Sequence, residues 1–535
     1  MSSGASKLEF FWRFWPRSQL QDQVRAWKRA ADEEKRTYRG LKELYKALFL
    51  AYMAVSLLQG HSGVCSRQVV FGHDEEGVIL NKWTWTHHIS AAQYQSITSL
   101  IGKAGFSAYE PGHLLADGRT VMDTDSMGKV RKFTDLMFQT FRSVYTPGRL
   151  LVEDDSMIEW TGASVMHKVY IANKPHLEGF CIKTLVDGNT RIILAGEFVE
   201  HSLDKGRMAT ERGFGKVACT MRVVSPYANL TPRVLICDAW FGTLGTARLL
   251  QRHCIECVLN MKGYRRGFPR ASLMAEALPV NQKEHQRGDC AFKYVDVRLQ
   301  PQAPPKRLYA VLHTDNKPQS LLCTLGTSNQ PAVPQIRRKP YRDSDGVLQN
   351  FVGILNQPGI HQLCRTKFNG VDNFNKLQLG PGSCVHLDTS FEAVRVFLAF
   401  FAMAETNAYL AYQQVNCNKS HDYSHSKWRM DLAALLLKEA EQLRGGAARA
   451  DVGEGGEPVD RGHKVPIPAA FAPHWWNVKK KVNKRCVHCG DRAHKECHCG
   501  AGACFGEPCM LWHILDMQQN PTEHRNVRAR SHKMH

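Results

Sequence analysis

The first part of the sequence lacks an apolar run long enough to cross a bilayer, which takes about 20 residues. Its most apolar early stretch, Leu48 to Leu58, falls short of that and reads as a buried helix of a soluble protein. The start, Met1 to Glu9, lacks the basic-then-apolar pattern of a secretory leader. Neither a membrane partner nor secretion is therefore expected. No internal repeat is present, which sets aside stacked-repeat architectures. Acidic residues are the minority: 50 Asp and Glu stand against 70 Lys and Arg, a formal net charge of +20. Such an excess points to a polyanion, because neutralising phosphates releases counterions and drives binding. Nothing marks a small-molecule substrate. Cysteine pairing is also missing from most of the chain. Of 17 cysteines, eleven stand singly between Cys65 and Cys417, as reduced intracellular thiols do, and six crowd between Cys486 and Cys509.

What is present is length. With 535 residues, 43% of them hydrophobic, the chain exceeds one ordinary core and suggests three or four units. Residues 6 to 145 read as mostly helical, with apolar residues at helical spacing in Leu20 to Trp27, Leu41 to Leu58 and Val130 to Val144. Tyr145-Thr146-Pro147-Gly148 breaks the pattern. Leu150-Leu151-Val152 is then a short apolar run ending in Glu153-Asp154-Asp155. Phe180 to Val186 and Thr190 to Val199 form β-rich runs joined by the turn signal Asp187-Gly188-Asn189. Val234 to Cys237 is a compact strand ending at Asp238, followed by a helix, Gly242 to His253, and a strand, Ile255 to Asn260. A hairpin followed by strand–helix–strand predicts an α/β layer with a mixed sheet. Residues 276 to 354 are rich in proline and basic residues, with short strands at Arg307 to His313 and Gln319 to Leu325, and read as an insertion. Helix returns near Gly370. Phe391 to Val415 is a long apolar core helix, and Gly445 to Pro473 reads as a linker.

Two acids stand where metal-assisted phosphodiester chemistry would want them. Such chemistry commonly uses two divalent ions about 3.5–4 Å apart, held by hard carboxylate oxygens. Asp154 and Asp238 each follow an apolar strand. Taken singly, an aspartate in that position is more often a helix N-cap or a turn former, and Asp238 precedes a helix.

The tail reads Cys486-x2-Cys489, His494, Cys497-His498-Cys499, Cys504, Cys509 and His513. Structural zinc takes four thiolate or imidazole ligands, and a C-x2-C turn supplies two. Six cysteines with nearby histidines suffice for two Zn²⁺ ions, and so small a segment hardly folds without metal. The expected ligands are Cys486, Cys489, Cys499, Cys504, Cys509 and His513, with Cys497 and one of His488, His494 or His498 completing the sets. Basic clusters at Lys479 to Arg485 and Arg525 to His535 flank the unit and fit phosphate contact or nuclear import.

Around the acids, the residues form an ordered series. Tyr145-Thr146-Pro147-Gly148, Val152-Glu153-Asp154 and Trp160-Thr161-Gly162 are followed by Tyr170-Ile171-Ala172-Asn173-Lys174-Pro175, with Gly179 and Lys183 beyond. Next come Cys237-Asp238-Ala239-Trp240-Phe241, Lys262-Gly263-Tyr264-Arg265-Arg266-Gly267-Phe268-Pro269, Gly370-Val371-Asp372, and Asn407-Ala408-Tyr409 with Tyr412. Upstream, Phe10-Phe11, Lys129-Val130-Arg131 and Phe133-Thr134-Asp135 fit the same order. Over nearly its whole length the chain resembles the piggyBac transposase family. The resemblance implies an RNase H-like mixed-sheet core with an insertion domain, flanked by a mainly helical dimerisation and DNA-binding domain and a C-terminal zinc cross-brace. By it, Asp154, Asp238 and Asp372 are catalytic ligands of two Mg²⁺ ions. It further implies cut-and-paste transposition through a hairpin intermediate into TTAA targets, a homodimer holding double-stranded DNA ends (the transposon's terminal inverted repeats), and a nuclear location.

The expected division is 1–148 and 382–444 for the helical domain, 149–275 and 355–381 for the catalytic core, and 276–354 for the insertion. A linker at 445–477, a zinc unit at 478–524 and a basic tail at 525–535 complete it. Three positions depart from the family pattern. Asn375 stands where an acid usually recurs, Ala239 where an asparagine follows the second aspartate, and Thr389-Ser390-Phe391 where Arg-Trp-Pro often precedes the long helix. They make a domesticated, non-catalytic DNA-binding protein the first alternative. A zinc-dependent interaction module, such as a ubiquitin ligase, is the second.

Overall fold

A computed structural model describes residues 5–17, 46–62, 88–106, 126–164, 166–172, 174, 177–200, 215–228, 232–262, 265–277, 288–297, 305–315, 317–325, 332–342, 344, 348–416, 423–450, 495–496 and 502–503. The expected helix at Leu20 to Trp27, most of the zinc unit and the basic tail lie outside them.

Among the described residues, four helices come first: α1 (Lys7–Phe14), α2 (Lys46–Ser62), α3 (Ala91–Ala104) and α4 (Arg131–Val144). Ser6 with Glu9, and Ser90 with Gln93, close capping boxes at the starts of α1 and α3. The apolar run in α2 is buried almost throughout, from Ala47 to Leu58. Helix α4 stops at Val144, where the Tyr145–Gly148 break falls.

Strands β1 (Leu150–Glu159), β2 (Val169–Tyr170), β3 (Glu178–Asp187) and β4 (Ile193–Phe198) follow. Helix α5 (Gly215–Val224) leads to β5 (Arg233–Cys237), and α6 (Leu244–Arg252) to β6 (Ile255–Asn260). Strand β1 is antiparallel to β3 and parallel to β5, which is parallel to β6. The mixed sheet is thus the expected one. After α7 (Arg270–Ala277) come β7 (Cys290–Val297), β8 (Lys306–Thr314) and β9 (Pro318–Cys323). These do not stand apart from the core: β9 pairs antiparallel with β6, and the sheet continues β6–β9–β8–β7.

Strands β10 (Ala332–Arg342) and β11 (Leu348–Pro358) form a separate two-stranded ribbon. Pro334 and Pro340 disguise β10 in the sequence. A ribbon tolerates them, because among the described residues each of its strands is paired on one side alone, and on the other side a missing N–H breaks no ladder. The chain returns through α8 (Gly359–Lys367) and α9 (Gly370–Gln378), then α10 (Glu392–Asn416) and α11 (His425–Ala450). Helix α11 runs six residues into the segment read as linker, through the helix-favouring Ala447, Ala448 and Ala450. Helix α10 is long and apolar enough to span a membrane, but 94% of its apolar window is buried inside the protein, as in a core helix.

Strand alternation assigns the two faces of the sheet. Val152, Ile182, Val186, Val234 and Ile236 face the helical layer of α1 to α4, α9, α10 and α11. Leu151, Leu185, Leu235 and Cys237 face α5, α6 and α7. Asn407 of α10 fastens the helical layer to the sheet. Its Oδ1 accepts from the Ile193 amide at 2.8 Å and its Nδ2 donates to the Ile193 carbonyl at 3.1 Å.

Candidate active site

Strand β1 does not end before its acids, as the sequence reading expected. It continues through Glu153-Asp154-Asp155 to Glu159, because β3 pairs with it throughout and sets Thr184 opposite Asp154 and Lys183 opposite Asp155. The acids therefore project alternately from a paired strand. Glu153 and Asp155 share the α5–α6 face, while Asp154 shares the face of Val152 and Ser156 with α9.

Glu153 is fully buried, with the Cys237 thiol 3.6 Å from its Oε2. Burial pushes its carboxyl up to about 8, so it is held as the neutral acid near neutral pH. Asp155 meets the buried Lys183 ammonium at 2.6 Å, and that ammonium also lies 3.6 Å over the Trp240 ring. Asp154 is 7% exposed. Burial pushes its carboxyl up to about 7; the Asp238 and Asp155 charges add to this, while the Lys174 ammonium and the Asp155 amide oppose it.

Asp238 follows β5 directly. It lies within electrostatic reach of both Asp154 and Asp155. Its Oδ1 accepts from the Trp240 amide at 2.7 Å. Burial raises its carboxyl above the usual range, Asp155 adds to this, and the Trp240 and Phe241 amides resist it. It does not cap the next helix: Thr243 caps α6, accepting from the Thr246 amide at 3.0 Å. Gly242 lets the loop after Asp238 close on β6, since a Cβ there would lie 1.9 Å from the Asn260 carbonyl oxygen.

Asp372 sits in the first turn of α9, where the helix dipole favours a carboxylate. Gly370 brings that turn against Val152 and Val186. Its neighbour on the same face, Asn375, bonds Ser156 of β1 at 3.0 Å. Lys174 joins the acids: its Nζ is 2.9 Å from the Asp155 carbonyl oxygen and 3.4 Å from Asp372 Oδ1.

The three aspartates thus come from a strand, a strand end and a helix start, with Asp154 within electrostatic reach of Asp238 and Lys174 shared between Asp154 and Asp372. Among the described residues, however, no three Asp, Glu, His or Cys side chains stand arranged to hold a metal ion. The donor set still suits one. Partly desolvated carboxylates that repel each other, with an ammonium already among them, are the environment a hard divalent cation relieves. The sequence reading named Lys174 and Lys183 only as residues fitting the family series, and gave neither them nor Glu153 a role in the site. The β1–β3 register sets what Lys183 and Glu153 face, and the loop after β2 brings Lys174 to Asp155 and Asp372. The zinc candidates Cys486, Cys489, His494, Cys497, Cys499, Cys504, Cys509 and His513 lie outside the described residues. Within that unit, Lys495–Glu496 pairs with Gly502–Ala503.

A family model described as Transposase IS4 matches residues 6–409, a span that includes all three aspartates. No individually curated protein matches the chain. Among solved structures, the chain is similar to that in a cryo-EM structure of the piggyBac transposase synaptic complex with hairpin DNA. Identity is 16% and the TM-score is 0.61, with 94% of this chain and 97% of that chain covered. The chain belongs to the transposase IS4 family and carries the fold of a piggyBac transposase.

Proposed function

We propose that this chain cuts and joins DNA strands as a piggyBac-type transposase, with Asp154, Asp238 and Asp372 holding two Mg²⁺ ions. The observation that supports this reading is that Asp154 feels the charge of Asp238 and shares Lys174 with Asp372, in a chain whose family is transposases. When bound, the metal pair would activate the attacking oxygen and stabilise the leaving one. Each residue of the chain has its own part. Paired strand β1 holds Asp154 rigidly, the Trp240 amide orients Asp238, and the first turn of α9 presents Asp372. Lys and Arg side chains, abundant in this +20 chain, would position the phosphate backbone. The first product would be a nick at a transposon end, and the freed 3′-OH would attack the opposite strand to give a hairpin before joining at TTAA.

The tail would bind two Zn²⁺ and grip end DNA, a homodimer would hold the two ends, and the basic clusters would direct the protein to the nucleus. A second reading, a domesticated DNA-binding protein, is favoured by Asn375, whose amide is turned to Ser156 where the family carries an acid. Divalent-dependent cleavage of the DNA bordering the coding region separates the two. Asp154→Ala, Asp238→Ala and Asp372→Ala should each abolish it as fully as the triple variant, because residues acting as a unit are non-additive. Cleavage at the wild-type rate by Asp238→Ala or Asp372→Ala would exclude the catalytic assignment.

A further inference from the structure

Two lysines stand beside the acids, and they are held differently. Lys183 is locked: its side chain is 6% exposed, its Nζ is 2.6 Å from Asp155 Oδ1, and the Trp240 ring covers it. Lys174 is loosely held. Its side chain is 20% exposed, that of Asp372 is 41% exposed, and the 3.4 Å between them is long for a hydrogen bond. The firmer bond of Lys174, 2.9 Å to the Asp155 carbonyl, does not involve a candidate metal ligand's carboxylate. Its backbone is tied into the loop after β2, the Lys174 amide donating to the Ile171 carbonyl at 3.2 Å. The ammonium can therefore let go of Asp372 while its loop and its bond to β1 stay in place.

We propose that Lys174 is a resident counter-cation: it gathers Asp372 and Asp154 in the metal-free protein and must release Asp372 when a divalent ion binds. The proposal rests on the reading of the three aspartates as metal ligands. Its physical basis is a conflict of charge. Without a cation, Asp154 and Asp238 repel each other in a partly dry site, and Lys174 is the main opposing charge on Asp154. A divalent ion brings two positive charges to the same carboxylates, and the ammonium then becomes a repulsive neighbour. Lys174 would thus lower metal affinity while stabilising the empty site. It is a positioning residue, acting through the carboxylates.

The test uses the full chain without DNA. Mg²⁺ and Mn²⁺ affinities are measured by titration calorimetry, and thermal unfolding is followed in chelator and in Mg²⁺. Lys174→Met should bind Mg²⁺ about tenfold more tightly than wild type, the size expected when one nearby charge is removed. It should also unfold at a lower temperature in chelator, a deficit that Mg²⁺ erases. Lys174→Arg provides an independent check. A guanidinium grips carboxylates in a fixed fork and stays charged, so this variant should bind Mg²⁺ more weakly than wild type. Lys168→Met, which removes a lysine paired with Glu178 at 2.6 Å, should match wild type. Wild-type or weaker Mg²⁺ affinity in Lys174→Met, or tighter binding in Lys174→Arg, overturns the proposal while leaving the metal ligands in place. If wild type and Asp154→Asn alike bind no Mg²⁺, the ligand assignment itself fails and the displacement with it.

Discussion

At Asp154 a carboxylate is kept nearly dry beside two others, and that arrangement has a measurable cost in the absence of metal. Burial raises its carboxyl from 3.8 to about 7, so the folded protein binds this proton more tightly than the unfolded chain does. Stability from this group is greatest in acid and is lost as pH rises from about 4 through about 7. Asp154→Asn removes the group that must ionise. In chelator at pH 8 the variant should be more stable than wild type by about 1–3 kcal/mol, each pKa unit being worth about 1.4 kcal/mol before allowance for the partner that Lys174 loses. Near pH 4 the two proteins should converge. Urea unfolding at both pH values checks this; a less stable variant at pH 8 would contradict it. Mg²⁺ should stabilise wild type and leave Asp154→Asn nearly unmoved, since a ligand stabilises only the state that binds it.

The element that presents Asp372 is held from behind by a buried charge cluster. Glu405 of α10 and Arg429 of α11 are almost fully inaccessible and 3.1 Å apart, and His425 meets Glu405 at 2.6 Å. The Arg429 guanidinium also donates to the carbonyls of Leu377, Gln378, Gly380 and Pro381, where α9 ends. The Leu377 and Gly380 carbonyls also accept the Gly380 and Ser383 amides, so the guanidinium reinforces a terminus whose carbonyls the helix itself leaves short of donors. One guanidinium therefore fixes the C-terminal end of the helix whose first turn holds Asp372. Despite full burial, His425 and Arg429 keep the Glu405 carboxyl below its usual range. Its contribution to stability is present above about 4.5 and is lost as pH falls through the lowered value. Glu405→Gln leaves Arg429 buried without its counter-charge and should cost about 3–5 kcal/mol at pH 7. The gap from wild type should narrow below pH 4. Denaturant midpoints across that range decide the matter, and a pH-independent gap would mean that packing, not charge, sets the loss.

Across the whole molecule, what could be read from the sequence was what local pattern encodes. The β-rich run of β3, the compact β5 and β6, the helical period of α4 and the apolar length of α10 are all local features of the chain, and each element forms where expected. Strand β10 is disguised by its prolines, and the continuation of β1 through three acids depends on a partner strand, with Lys183 opposite Asp155. The same divide runs through the site. Asp154 and Asp238 stand out because an apolar strand leads into each. Lys174 lies 198 residues from Asp372, and only the fold brings them together. Charge, finally, is a property of the entire chain, and it yields the last prediction. With a net charge of +20, binding to the DNA bordering the coding region should weaken steeply with salt, since each phosphate neutralised adds about 0.9 to the slope of log K against log salt. Cleavage and binding should then separate. Asp372→Ala should keep the wild-type salt slope and lose only cleavage, because its carboxylate neutralises no phosphate. Replacing Lys479, Lys480 and Lys481 with Ala should lower the slope if this cluster meets the DNA backbone, by up to about 0.9 for each phosphate no longer neutralised. Chelating zinc should weaken binding to end DNA if the cysteine-rich unit is folded by metal, with elemental analysis expected to find about two Zn²⁺ per chain, the number that eight ligands supply at four each. Binding measured in chelator and in zinc, across a salt series, would set the finger's part apart from that of the basic cluster. Undiminished binding in a chain shown to be free of zinc would remove the finger from the DNA interface.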